Sequence, residues 1–207
     1  MEHAEIERRF GRWAALTPAE VDRLLTGCPV QWYLVGGWAI ELFTGQPRRH
    51  RDIDVVIPAP DLPLLRAHLA ALDWHRAEET GLTPLPAGTE PPAGADQFWL
   101  RRPPDGPWLI DLLATSRIRD GHYVSGRDER IQMPAHRALR RHPDGVRYLA
   151  PEIALLHKAR RQPVEAPDDA DLAAALPRLD ADARAWLTAA LQLAHPTHPW
   201  LTALRAW

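Results

Sequence analysis

Asp52 and Asp54, two residues apart, stand just ahead of the apolar run Val55-Val56-Ile57. On an extended strand side chains alternate between faces, so both carboxylates project from the same side. Two negative charges held that close repel, and a bound divalent cation is the usual way an ionised pair is tolerated. Upstream, the apolar run from Trp32 to Val35 breaks at Gly36-Gly37, and a helical pattern follows through Trp38, Ile40, Leu42 and Phe43. Glycine lets backbone approach a ligand with no Cβ in the way, and the free amides of a helix start suit an anion. A basic turn, Arg48-Arg49-His50-Arg51, separates this helix from the acids. A carboxylate pair fit for metal beside a helix start fit for phosphate points to nucleotide chemistry. Farther along, Asp111 lies inside the apolar string Trp108-Leu109-Ile110-Asp111-Leu112-Leu113. A carboxylate in an otherwise buried strand is costly unless it is paired or bound to metal.

The elements that must carry these groups are legible in outline. Residues 3 to 15 have the mix of an amphipathic helix. Thr17, Pro18 and Glu20 then form a second helix start with a capping box, and that helix ends near Gly27. Strand, glycine turn, helix and strand follow in the central stretch, and Leu62, Leu65, Leu69 and Leu72 predict a helix over residues 61 to 72. Residues 80 to 96, rich in Pro, Gly, Thr and Ala, read as a long loop, either a surface connector or a substrate lid. Strands are expected at Gln97 to Leu100 and Trp108 to Leu113, joined by a turn at Pro103-Pro104-Asp105-Gly106. Short strands and turns fill residues 121 to 149, with a hairpin turn at His142-Pro143-Asp144-Gly145. The remainder reads as helical. One helix opens at Pro151 and runs to about Arg161, a second is N-capped by Asp168 with Asp169 and Asp171 in its first turn, and a long one starts at Asp180. His195-Pro196 ends that long helix, and a short final helix follows Pro199.

Composition narrows the function classes. Of 207 residues 45% are hydrophobic and 25% charged, as in an ordinary globular protein. A net charge of −2 supplies no general pull toward nucleic acid. Cys28 is the only cysteine, so no internal disulfide can form, and a reducing compartment fits. No signal peptide opens the chain and no apolar run approaches the length of a membrane span, so a cytoplasmic protein is expected.

The central string also resembles the DNA polymerase β-like nucleotidyltransferase superfamily, and more narrowly the antibiotic nucleotidyltransferases that adenylylate aminoglycosides and lincosamides. Their pattern, a G-G-W-[AG]-[IV]-[DE] run, a short turn and then R-x-H-x-D-I-D, is matched by Gly36, Gly37, Trp38, Ala39, Ile40 and Glu41, followed by Arg48, His50, Asp52, Ile53 and Asp54. The resemblance implies an α+β fold: a mixed sheet flanked by helices over residues 1–149 as the nucleotidyltransferase core, and a C-terminal helical region over 150–207. It implies a third acid on a later strand, for which Asp111 is the candidate, as ligand of a second metal ion or as general base. It also implies a phosphate-facing lysine in an L-x-K-A element, matched by Leu156, Lys158 and Ala159; the alternative is a solvated surface lysine.

By that resemblance Asp52, Asp54 and Asp111 hold Mg2+, two ions in all, and ATP or another nucleoside triphosphate is co-substrate. Gly36 and Gly37 cradle the phosphates while Arg48, Arg49 and Lys158 supply positive charge. His50 orients a carboxylate, touches substrate or makes a structural hydrogen bond. The leading expectation is transfer of AMP onto a hydroxyl of a small molecule such as an antibiotic, by a monomer or homodimer with no membrane partner. Two alternatives stay open: a toxin-type enzyme acting on tRNA or protein, and a catalytically inactive nucleotide-binding module.

Overall fold

The computed structural model describes residues 3–78, 81–161 and 163–207. In chain order come α1 (His3–Phe10), α2 (Pro18–Leu24), β1 (Tyr33–Leu34), α3 (Gly36–Thr44), β2 (Asp54–Ile57) and α4 (Leu62–His68). Next are β3 (Asp73–Glu78), β4 (Gly81–Pro84), β5 (Gln97–Arg101), β6 (Trp108–Ala114), β7 (Ile118–Arg119), β8 (His122–Val124) and β9 (Gln132–Pro134). Then follow α5 (Ala135–Ala138), β10 (Leu139–Arg141), β11 (Arg147–Leu149), α6 (Pro151–Lys158), α7 (Ala166–Ala175), α8 (Ala181–Ala194) and α9 (Trp200–Arg205). Contacts divide the chain into two units: residues 1–34 with 49–116, and residues 35–48 with 117–207. The chain leaves the first unit at the glycine turn and returns to it just after Arg48.

The first unit is a mixed sheet with strand order β1-β2-β6-β5-β3-β4. Within it β2 and β6 run parallel and the other neighbours antiparallel. One face carries Val55, Ile57, Phe98, Leu100, Ile110 and Leu112, all at most 2% exposed, and each such burial contributes roughly 1.5–3 kcal/mol. The period-two alternation then sends Asp54, Asp111, Gln97 and Trp99 to the opposite face.

Several expectations are corrected here. The first helix stops at Phe10, because Gly11 turns at φ +90°, a conformation glycine adopts without strain. The following segment is extended instead and hydrogen-bonds along β6: Trp108 N to Arg12 O at 3.0 Å, Ala14 N to Trp108 O at 2.9 Å and Leu16 N to Leu109 O at 3.0 Å. The helix expected over 61–72 ends at His68, and the chain turns into β3. The expected loop begins as β4, which pairs with β3 through backbone bonds that composition does not encode; Thr80 lies outside the described residues. The capping box of Thr17 and Glu20 forms as expected.

The second unit packs α3 against α6 and α7, and α6 against α8. It also holds the three-stranded antiparallel sheet β7-β8-β9 and the hairpin β10-β11, which closes across the expected turn at His142 to Gly145. Pro151 starts α6 at a position where its missing N–H costs nothing, and Ile153, Leu155 and Leu156 are buried. No helix among the described residues is long and apolar enough to cross a membrane.

Candidate active site

In the first unit the acids meet through strand register. Asp54 on β2 and Asp111 on β6 are direct partners of the parallel pair, and the Asp111 N–H donates to Ile53 O at 3.0 Å. Their side chains therefore share one face of adjacent strands. Asp52, two residues before Asp54, is close enough to act on Asp111 electrostatically. Asp111 is only 7% exposed, whereas Asp52 and Asp54 are half-buried. Burial, reinforced by the charges of Asp54 and Asp52, pushes the Asp111 carboxyl well above the usual carboxylate range; a hydrogen bond from Gln97 works in the other direction. The Gln97 amide nitrogen donates to both Asp111 oxygens, at 2.9 and 2.8 Å.

An aromatic cluster flanks these acids. Trp99 is the cross-strand partner of Asp111, and its ring lies 4.9 Å from Trp13, 5.6 Å from Trp108 and 6.1 Å from Phe10. Arg101 covers Trp108 at 4.6 Å. These rings pin the N-terminal segment to the sheet beside Asp111. Arg49 is exposed and His50 half-buried on the approach to β2.

A cavity of about 820 Å³ also belongs to this unit, lined by Trp74, Arg66, Leu85 and neighbours between α4 and residues 84–91. None of the three acids lines it. Arg66 donates to Pro86 O at 3.0 Å and Thr89 O at 2.7 Å, so the segment after β4 is tied to α4.

The second unit holds the glycine turn and two of the expected cations. Val35 precedes α3 as an extended N-cap that provides no side-chain hydrogen bond, and Gly36 opens the helix at φ +63°. The first amides of α3 thus have no side-chain cap and suit an anion. Arg48 reaches Asp171 through two contacts, Nε to Oδ1 at 2.9 Å and a guanidinium N–H to Oδ2 at 3.0 Å. Lys158 meets the same Asp171 at 2.9 Å and Asp168 at 2.7 Å. Arg161 lies 3.4 Å from Asp168.

The expected cap role of Asp168, Asp169 and Asp171 is therefore corrected. Glu165 stands at the N-cap of α7, and Asp168 and Asp171, side chains 1% and 3% exposed, form ion pairs with Lys158, Arg48 and Arg161. Asp169 instead accepts from the Trp200 indole at 2.6 Å. Lys158, at 11% exposed, is no solvated surface lysine. Sequence reading missed the pairing of Gln97 with Asp111, for which no local pattern exists. It also missed the Asp168-Asp171 pair, whose three-residue spacing on one helix face was a usable signal.

The family model for aminoglycoside-2''-adenylyltransferase matches residues 19–81, the segment that carries the glycine turn and the two paired aspartates. That match spans under a third of the chain, and what the whole chain shares with solved nucleotidyltransferases is the fold. Solved structures share the fold of this chain at low identity. The antibiotic-resistance factor ANT(2'')-Ia in solution is 16% identical, with a TM-score of 0.54 over 84% of this chain and 89% of that one. The lincosamide antibiotic adenylyltransferase LnuA, lincomycin-bound, is 18% identical, with a TM-score of 0.51 over 75% of this chain and 92% of that one. ANT(2'')-Ia in complex with adenylyl-2''-tobramycin is 16% identical, with a TM-score of 0.50 over 85% of this chain and 97% of that one. No curated protein matches the sequence of this chain.

The acids suit magnesium by their chemistry. Among the described residues no group of three or more His, Cys, Asp or Glu side chains is placed to hold a metal ion together, so Asp52, Asp54 and Asp111 do not form a ready three-carboxylate site. An open set of one or two carboxylates is what Mg2+ takes when water and substrate phosphate oxygens complete its shell.

Proposed function

We propose that this protein is a nucleotidyltransferase that moves AMP from ATP onto a hydroxyl of a small molecule, of which aminoglycosides and lincosamides are the leading candidates. The observation that carries the reading is the parallel register of Asp54 and Asp111, with Asp111 buried beside the Asp52 and Asp54 charges. Like charges concentrated on one sheet face are what a divalent cation relieves. Asp52 and Asp54 would hold Mg2+, with Asp111 as ligand of a second ion or as general base. Bound there, magnesium supplies charge neutralisation at the triphosphate and a more acidic acceptor hydroxyl.

The remaining steps belong to the chain's own groups. The acceptor oxygen attacks the α-phosphorus, its proton departs toward the acid face, and the bond to pyrophosphate breaks. Gly36 and Gly37 would take phosphate oxygens on backbone amides, and Arg48, Arg49 and Lys158 would offset the charge of the leaving pyrophosphate. His50 would orient a carboxylate at the start of β2. Asp168 and Asp171 would fix Lys158 and Arg48 in place, so that little ordering remains when nucleotide binds.

Incubation with α-labelled ATP, Mg2+ and panels of aminoglycosides, lincosamides and tRNA tests the proposal. Label on a small molecule is the expected result. Label on tRNA or on protein alone, or no transfer at all, would refute it.

A further inference from the structure

We infer that Gln97 is a positioning residue for Asp111: its amide sets the carboxylate's orientation for nucleotidyl transfer without neutralising it. The inference rests on the function proposed above and adds a residue to that site. Gln97 pairs with Leu113 across the antiparallel β5-β6 ladder, so it shares the sheet face of Asp111 and reaches it diagonally. One amide nitrogen serves both carboxylate oxygens, at 2.9 and 2.8 Å. That bifurcated contact locks the carboxylate plane and occupies one lone pair on each oxygen. The outward lone pairs remain for a metal ion or a hydroxyl proton. A lysine or arginine here would cancel the charge the site needs, whereas an apolar residue would strip the carboxylate of the donor that bridges both its oxygens. A neutral donor meets both requirements. Metal-site carboxylates depend on such supporting hydrogen bonds, and their loss typically costs about 10–100-fold in activity or metal affinity.

Two variants and one spectrum test the assignment. Gln97→Met keeps length and removes the donor; Gln97→Glu keeps shape and replaces the donor with an acceptor. Both are expected to lower kcat by about 10–100-fold with the KM for ATP unchanged, and wild-type kcat in both would overturn the inference. A loss matched by the fraction of unfolded protein would also overturn it, because a purely structural contact behaves that way. The spectrum needs no turnover: the Gln97 side-chain amide signals of 15N-labelled wild type should shift when Asp111 becomes Asn, and broaden when Mn2+ is added. Signals indifferent to both would refute the contact. A wild-type protein that transfers nothing would count against the proposed function, and the amide signals would then decide the Gln97 contact alone.

Discussion

Replacing Asp111 by asparagine should stabilise the metal-free protein while abolishing transfer. The variant keeps the size of the side chain and leaves Gln97 an oxygen to donate to. What disappears is a charge in a buried site beside a second acid. Adjacent strands lie about 4.8 Å apart, and two unit charges about 5 Å apart repel by about 3 kcal/mol at an effective dielectric of about 20. Asp54 is half-buried, so water reduces this to about 1–2 kcal/mol, or roughly 2–8 °C in Tm for a chain of this length.

The gain should depend on pH. The Asp111 pKa is raised in the folded state, so the folded protein holds that proton more tightly than the unfolded chain does. Wild type therefore loses stability as pH rises from the ordinary carboxylate range toward the raised value, and the variant does not. Saturating Mg2+ should reverse the order, since a ligand at about 100 times its Kd adds about 2.7 kcal/mol to the state that binds it. Thermal unfolding by circular dichroism from pH 4 to 8, in EDTA and then in Mg2+, measures all three effects. A variant less stable than wild type at pH 8 in EDTA, or a difference flat across pH, would show that Asp111 is not a strained, cation-seeking carboxylate.

Asp52→Asn and Asp54→Asn should each eliminate transfer with the fold intact or slightly stabilised; labelled-ATP assays on folded variants check this, and full activity in either would contradict its metal role. Lys158→Ala should weaken nucleotide binding in calorimetric titration, whereas unchanged affinity with lowered Tm would leave the lysine only its ion pairs. Asp171→Ala strips a shared carboxylate from Arg48 and Lys158 and should cost about 3 kcal/mol in denaturant unfolding. His157, hydrogen-bonded to the Tyr123 hydroxyl at 2.7 Å, is pushed down to about 4, chiefly by burial. Its neutral form is favoured in the fold, so stability should fall by roughly 3 kcal/mol as pH drops from about 6.5 to about 4. His157→Gln should flatten that dependence in equilibrium unfolding.

Sequence alone determined what local rules can write. The Asp52-Ile53-Asp54 string fixes two carboxylates on one side of a strand because the period of two belongs to the backbone. Thr17, Pro18 and Glu20 set a helix start, and His142 to Gly145 a hairpin turn, because those groups satisfy their own neighbours. Local rules failed where a distant segment competed. Gly11 and the edge of β6 drew residues 12–16 out of the expected helix, and β3 drew residues 81–84 out of the expected loop. Tertiary structure alone decided that Asp111 stands in register with Asp54, that Gln97 reaches it, and that Lys158 and Arg48 share Asp171. Each of these is a contact between residues far apart in the chain, set by how strands align and helices pack. A carboxylate's spacing to its chain neighbours carries no record of which remote donor it will meet.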